Sequence, residues 1–136
     1  EIIKVRKEVQ FRMSENISKN NKLNEYVYVT NLKDHKPVEM LPGIFRTTLT
    51  YNEQMMLCHF IMKKGATIPL HNHKAVQNGY VIKGKVRFFT KENDSIIVEA
   101  GSSYVFDSEE YHGSEVLEDS ELIESFTPMR PEYIDK

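Results

Sequence analysis

The feature that most constrains the fold of this chain is a succession of short segments in which apolar and polar residues alternate between turn-forming residues. Such segments are typical of β-strands, and we find no amphipathic helical stretch of about ten or more residues. The candidate strands are Tyr26–Thr30, Ile44–Tyr51, Met55–Met62, Ile68–His71, Val76–Ile82, Lys85–Thr90, Ser95–Glu99, Ser103–Phe106, His112–Leu117 and Glu121–Thr127. The pattern predicts an all-β domain, an antiparallel sandwich or closed barrel, over residues 25–136.

Residues 1–24 form a separate unit in this interpretation, an N-terminal arm and linker. Residues 1–12 alternate as a strand does. This is compatible with an arm that adds to a sheet edge on a second subunit, or with a poorly ordered terminus or sequence upstream of a start at Met13. The polar, Asn-rich residues 14–24 predict a loop. No continuous apolar segment is present here, so no signal peptide is expected.

Composition excludes several classes of function. The 136 residues carry a formal net charge of −2 without a basic face, so nucleic acid is not an expected partner. No apolar run approaches the roughly 18–20 residues that span a membrane. The single cysteine, Cys58, rules out a disulfide within the chain, which fits a cytoplasmic protein. Cys58 lies in an apolar run and is expected in the core.

A group of polar residues has the spacing of metal ligands. On a strand the side chains of His71 and His73 would point to one face, and Gln77 has the same parity. His112 opens a later candidate strand. Imidazole suits Zn, Cu, Fe and Ni, and an oxygen donor extends the choice to Mn, so we expect one divalent ion: Zn, Ni, Mn or Fe. The alternative is a metal-free polar interior, because paired histidines on a strand are often hydrogen-bonded core residues.

Residues 65–84 resemble the first motif of the cupin family, G-x5-H-x-H-x3-4-E-x6-G. Every interval agrees, with Gln77 at the position of the motif's Glu, between Gly65 and Gly84. If both glycines lie at turns, the motif is a hairpin that holds its ligands in register. The resemblance implies a cupin double-stranded β-helix, or jelly-roll barrel, with an N-terminal extension.

The second cupin motif, G-x5-P-x-G-x2-H-x3-N, is matched by spacing at Gly101 and His112. Its Pro, Gly and Asn are replaced by Asp107, Glu109 and Val116. These departures concern the turn before His112 more than the expected ligand.

Two segments are similar to the pectin degradation protein KdgF, a family that uses three His and one Gln as metal ligands. One segment surrounds Gln77. The other begins at Glu124 and resembles the family pattern D-x-F-x-P-x-R-x-D/E followed by an aromatic residue. The match assigns active-site roles to Glu124, Phe126 and Arg130, although Glu124 replaces the family's usual Asp.

The resemblance implies that a 4,5-unsaturated monouronate, a breakdown product of pectin or alginate, is opened to the linear 5-keto-4-deoxyuronate. Glu124 would transfer the proton, Arg130 would bind the carboxylate of this sugar acid, and Phe126 would wall the pocket. The metal would polarise a substrate oxygen. The resemblance also implies a homodimer.

Alternatives remain for each assignment. Glu124 is either an interior residue, together with Phe126, or a solvated edge residue, and Phe126 would be core in most barrels. Arg130 is either a site residue or a surface partner of Glu132. For the chain as a whole, the rivals are another metal-dependent cupin reaction, such as a dioxygenase or a lyase on a small acid, and a non-catalytic small-molecule-binding cupin.

Other polar residues carry weaker signals. A tyrosine in a barrel is more often amphipathic packing than an acid. Arg46 is a weak candidate for a substrate contact, His35 is expected to be solvated, and His59 is expected to be a satisfied core histidine. The tyrosines considered are Tyr80, Tyr104 and Tyr111.

Overall fold

The structure is a computed structural model that describes Lys4, Lys7 and residues 20–24 and 26–135. Its strands are β1 (Asn20–Asn24), β2 (Val27–Thr30), β3 (Val38–Leu41), β4 (Ile44–Tyr51), β5 (Met56–Met62), β6 (Thr67–His71), β7 (Val76–Thr90), β8 (Ser95–Glu99), β9 (Ser103–Phe106) and β10 (His112–Thr127). The 3₁₀ turns Leu32–Asp34 and Pro131–Tyr133 accompany them in the described part of the chain. Among the described residues, no helix is long and apolar enough to cross a membrane.

The strands form one large antiparallel sheet and a small hairpin. The large sheet has the order β3-β4-β5-β10-β7-β8, with β6 also paired to β10 and β9 to β7, while β1 pairs with β2. The central strand is β10, which pairs with β5, β6 and β7. This arrangement confirms the predicted all-β jelly-roll barrel.

The two longest strands correct the predicted strand boundaries. The segments predicted to be separate on either side of Gly84 are one strand, β7, and the segments on either side of Asp119 are one strand, β10. Gly84 does adopt a positive φ of 99°. A Cβ at this position would lie 2.2 Å from the Ser120 hydroxyl oxygen. The glycine therefore allows two bent strands to approach closely rather than forming a hairpin turn.

The first motif is also not a hairpin. Strands β6 and β7 each pair with β10, and a loop of residues 72–75 connects them. His71 ends β6 and Gln77 lies near the start of β7. The ligand candidates of this motif are therefore held in register by a third strand, β10.

Near the N-terminus, the prediction of a loop is wrong at Asn20–Asn24, which forms β1. This strand has no alternating apolar residues, so its backbone pairing left no signal in the sequence. Val38–Leu41 was missed for a similar reason, because only one of its four residues is half-buried. The predicted arm strand of residues 1–12 lies outside the described residues except for Lys4 and Lys7, which are helical. The division at residue 24 stays a prediction.

Strand β5 shows how the sequence builds the core. Its alternate residues Met56, Cys58, Phe60 and Met62 are all buried. A fully buried side chain of this size contributes roughly 1.5–3 kcal/mol. Cys58 is a free thiol, as predicted, and burial raises its pKa to about 12. It is a core residue and not a reactive one.

Candidate metal centre and adjoining cavity

Three histidine rings converge where β6 ends and β10 begins. His112 is the register partner of His71, and His73 follows from the loop after β6. The ring centroids of His71 lie 5.6 Å from His73 and 4.5 Å from His112, and those of His73 and His112 lie 5.1 Å apart. Their potential ligand atoms all lie within 4.8 Å of one another, so these histidines can hold a metal ion. The predicted convergence is confirmed, although His73 comes from a loop and not from a shared strand face.

Each ring of this histidine cluster (His71, His73 and His112) is oriented by a backbone carbonyl two residues away. The carbonyl oxygens accept from Nδ1 at Pro69 (2.9 Å from His71), Ala75 (2.7 Å from His73) and Glu110 (2.8 Å from His112). Because a carbonyl only accepts, each Nδ1 carries a proton, which makes Nε2 the ring nitrogen available to a metal. Metal-bound histidines are typically oriented in this way by the ring nitrogen that does not bind the metal.

The Nε2 atom of His112 shows that the cluster fits a cation. This atom is buried and has no hydrogen-bond partner within the described part of the chain. Burial lowers the pKa of His112 to about 4, so the ring is neutral at neutral pH. A buried polar atom without a partner costs about 1–3 kcal/mol. A divalent ion would satisfy this lone pair.

Gln77 faces the histidine cluster from β7. Its amide nitrogen donates to Glu124 Oε2 at 2.7 Å, which turns Oε1 toward His73 Nε2, 3.0 Å away. Burial lowers the pKa of His73, so its single ring proton is the one given to Ala75. Two lone pairs then face each other at hydrogen-bond distance. A metal ion bound by both atoms would remove this conflict, which supports Gln77 as a fourth donor.

Glu124 lies inside the barrel, so the interpretation as a solvated edge residue is wrong. It is only 7% exposed and lines the cavity beside the histidines. Gln77 and the Tyr104 hydroxyl both donate to its Oε2, the latter at 2.6 Å. Neither bond uses Oε1, which keeps its lone pairs. Burial raises the pKa of Glu124, and the two hydrogen bonds and the charge of Arg130 oppose this effect.

Tyr104, which the sequence offers only as a weak candidate among three tyrosines, is a direct neighbour of Glu124. Burial and the adjacent Glu124 raise its pKa well above the usual range, so the phenol stays protonated and donates. Its register partner on β7 is Gly79, where a Cβ would lie 2.3 Å from the Tyr104 oxygen. A glycine within a strand was the one signal in the sequence that a bulky side chain packs against the backbone at this position.

Arg130 contacts Glu132 and also lines the cavity. Its Nε donates to Glu132 Oε1 at 2.7 Å, as the surface interpretation expected, and its Nη1 donates to the Tyr133 hydroxyl at 2.9 Å. The guanidinium lies over the Tyr133 ring, 4.1 Å from its centroid. Its side chain is nevertheless only 13% exposed and lines the cavity, as does the buried Phe126.

The cavity has a volume of about 280 Å³. The predicted site residues on its wall are His71, Gln77, His112, Glu124, Phe126 and Arg130. This set brings neutral metal donors, one buried carboxyl group and one guanidinium to a single enclosed space.

The remaining candidates lie elsewhere. Arg46 is buried and forms an ion pair with Asp135. It is not among the residues that line the cavity. His59 is a satisfied core histidine, as predicted, with its Nε2 2.6 Å from a carboxylate oxygen of Glu121. His35 is half-buried and contacts the Thr30 hydroxyl at 2.6 Å, so it is not simply solvated.

Comparison with known proteins places this geometry in context. Residues 58–123 match the cupin domain family. No curated protein sequence matches the chain. KdgF from Halomonas sp. is similar with a TM-score of 0.70 and 27% identity, over 75% of this chain and 94% of that chain.

Two further structures show the same fold. An RmlC-like cupin from Shewanella frigidimarina NCIMB 400 has a TM-score of 0.73 and 21% identity, over 85% of this chain and 99% of that chain. The polyketide cyclase RemF from Streptomyces resistomycificus has a TM-score of 0.64 and 18% identity, over 75% and 80% of the two chains. At these identities the likeness concerns architecture and not activity.

Proposed function

Because this chain is a small cupin that resembles KdgF, we propose that it is a metal-dependent enzyme that opens a 4,5-unsaturated monouronate to the linear 5-keto-4-deoxyuronate. His71, His73, His112 and Gln77 hold one divalent ion, and Glu124, Phe126 and Arg130 form the rest of the site. The observation that carries this proposal is the single cavity lined by metal donors, a buried carboxyl group and a guanidinium.

The reaction needs one proton removed from the anomeric hydroxyl and one delivered to C4. As the bond between C1 and the ring oxygen breaks, C1 becomes an aldehyde and the electron pair of that bond stays on the ring oxygen, giving an enolate on C5 that accepts a proton at C4 to become the ketone. Glu124 is suited to both transfers, because burial raises its pKa and Oε1 is not used by Gln77 or Tyr104. When bound, the metal would act as a Lewis acid toward a substrate oxygen.

Arg130 supplies the substrate's counter-charge. The Tyr133 ring and hydroxyl fix its guanidinium at the cavity wall. Its pairing with Glu132 is on the exposed side, since the Glu132 side chain is 55% exposed. A uronate carboxylate that approaches Arg130 from the cavity gains a charge-assisted hydrogen bond. Phe126 forms the adjoining wall, against which the sugar ring packs.

The direct test is to incubate the metal-loaded protein with unsaturated galacturonate made by a lyase and to follow the loss of the ultraviolet absorbance of the conjugated acid. We expect acceleration over the chelated protein. No acceleration with galacturonate or with the alginate-derived uronates would eliminate this function.

Arg130→Ala tests the carboxylate contact. Loss of a hydrogen bond to a charged group should raise KM by about 10- to 100-fold with a smaller change in kcat. The matched control is Arg87→Ala, since Arg87 pairs with Glu115 outside the cavity. Equal KM values for the two variants would contradict the assignment.

Another metal-dependent cupin reaction on a small acid is the second candidate. The observation that favours it is the composition of the cavity, whose lining includes the apolar side chains of Met40, Ile44, Phe60, Met62 and Leu122. An iron-dependent consumption of oxygen in the presence of a small acid would identify a dioxygenase.

We also propose that the chain forms a homodimer. Strand β8 is an edge strand of the large sheet, and its Ile96 and Ile97 are 66% and 55% exposed. Exposed apolar edges favour pairing between chains. Light scattering that gives the mass of a monomer at high concentration would contradict the proposal.

A further inference from the structure

The cavity beside the histidine cluster is lined by two unlike groups of residues. Strands β3, β4, β5, β6 and the second half of β10 supply an apolar wall, which consists of Met40, Ile44, Phe60, Met62, Ile68 and Leu122. Apart from Ser114, the polar side chains of the lining are those of His71, Gln77, His112, Glu124, Arg130 and Tyr133. A ligand that fills this space therefore has one polar end and a body that meets hydrocarbon.

One polar group lies apart from the rest. Ser114 is 2% exposed and lines the cavity, and its Oγ has no hydrogen-bond partner within the described part of the chain. It lies two residues after His112, so both side chains face the interior of the barrel. Its register partners are Ile68 on β6 and Phe88 on β7, both of which line the cavity.

The isolation of Ser114 indicates a ligand contact. A buried hydroxyl without a partner costs about 1–3 kcal/mol, and the register partners Ile68 and Phe88 carry apolar side chains. A single oxygen or N–H group on a ligand would satisfy it. The many hydroxyl groups of a sugar would not, because most of them would lose water against the apolar wall without gaining a partner.

We propose that the apolar wall and Ser114 form a subsite for a small carboxylic acid with a hydrocarbon body that carries one further polar group. This deepens the second candidate function, a reaction on a small acid, rather than the uronate reaction, and it rests on the proposed metal ion and Arg130 as the anchor of the acid's polar end. It defines the preferred substrate as a deoxygenated or acyl-substituted acid rather than a polyhydroxylated one. The hydrocarbon body packs against Phe60 and Met62 and the further polar group meets Ser114.

A series of 2-hydroxy acids tests the wall on the metal-loaded wild-type protein. Glycolate, lactate, 2-hydroxybutyrate and 2-hydroxyhexanoate share one head group and differ in their hydrocarbon tail, and isothermal titration gives each Kd. We expect Kd to fall about 4-fold for each methylene buried, until the cavity is full. Gluconate, which is as long as the hexanoate but polyhydroxylated, should bind no more tightly than glycolate. A Kd independent of tail length, or tighter binding of gluconate, would overturn the proposal.

Ser114 is tested by a ligand with one oxygen in its tail. In the wild-type protein, an oxo group placed along the tail of 2-hydroxyhexanoate should tighten binding by about 3- to 10-fold at one position of the series. Ser114→Ala should abolish that gain and keep the dependence on tail length. The matched control is Ser125→Ala on the same strand, whose hydroxyl is bonded to Asn78 at an exposed site. Retention of the oxo gain in Ser114→Ala would show that Ser114 is not a ligand contact.

The outcome is separable from that of the uronate assay. Turnover of the unsaturated uronate, together with a Kd that does not change with tail length, would support the proposed function and contradict the subsite. Rising affinity along the series without any uronate turnover would remove the uronate reaction and support the subsite.

Discussion

The histidine cluster and the Glu124–Arg130 pair line the same cavity but are held in place in different ways. Each histidine ring is fixed by a backbone carbonyl only two residues away. Glu124 is fixed by Tyr104 and Gln77, which lie 20 and 47 residues away in the sequence. The metal-binding half of the site is therefore a local property of the chain, whereas the acid–base half depends on how distant strands come together.

The largest effect is expected from His112→Ala, which removes a donor from the local half of the site. Loss of even a residue that orients a metal ligand costs about 10- to 100-fold in affinity, so loss of the ligand itself should exceed ~100-fold. Metal content after dialysis, measured by mass spectrometry, should fall from about one ion per chain to near zero. His35→Ala is the control, because His35 lies outside the cluster and contacts Thr30. Equal metal content in the two variants would contradict the assignment of His112 as a metal ligand.

Glu124→Gln should separate the two halves of the site. It removes the ionisable group but keeps the shape, so kcat should fall by about 10²- to 10⁴-fold, the usual contribution of general acid–base catalysis. Metal content should stay at the wild-type level, because the histidine rings keep their carbonyl partners. Glu115→Gln, on the same strand but paired with Arg87, should leave kcat unchanged. Normal turnover in Glu124→Gln would show that Glu124 is not the general acid–base group.

Tyr104→Phe should have a smaller effect that depends on pH. The phenol donates to the carboxylate of Glu124 and so lowers its pKa against the effect of burial. Without this donor the pKa of Glu124 rises further, and the acidic limb of kcat/KM against pH should move to higher pH. Tyr80→Phe is the control, since Tyr80 is 48% exposed. An acidic limb that coincides with the wild-type limb would show that Tyr104 only fills space.

The smallest effect concerns the loop that carries His73. Glu109 donates its backbone N–H to His73 O at 2.8 Å and has a φ of +67°, a conformation that suits glycine. Glu109→Gly should raise the free energy of unfolding by about 0.5–1 kcal/mol, since a side chain in this region is strained. Glu109→Ala keeps the strain and should give no gain in urea denaturation. A gain in the alanine variant would attribute the effect to the lost carboxylate instead.

The parts of the molecule that could be predicted from the sequence are those with local signals. Alternation of residues identified Ile44–Tyr51, Ser95–Glu99 and Ser103–Phe106 with the bounds that the structure has. The spacing from His71 to His112 predicted that the histidine cluster would converge. Gly65, which the motif places at a turn, has a φ of +88°.

The features that the sequence did not reveal depend on contacts between distant residues. Strands β7 and β10 run through Gly84 and Asp119, where local turn signals predicted breaks, because their mutual pairing continues across the bend. The contact of Tyr104 with Glu124 arises only when β9 pairs with β7. The interior position of Arg130 depends on the Tyr133 ring beneath it, which a charge pattern does not encode.

The most direct test of the metal centre is a crystal structure of the metal-loaded protein with anomalous diffraction collected above the absorption edge of the bound element. The proposed donor set predicts one anomalous peak within about 2.0–2.2 Å of Nε2 of His71, His73 and His112 and of Oε1 of Gln77. Nδ1 of each ring should still donate to its backbone carbonyl. No peak between these rings, or an ion bound through Nδ1, would contradict the assignment of this cluster as the metal centre.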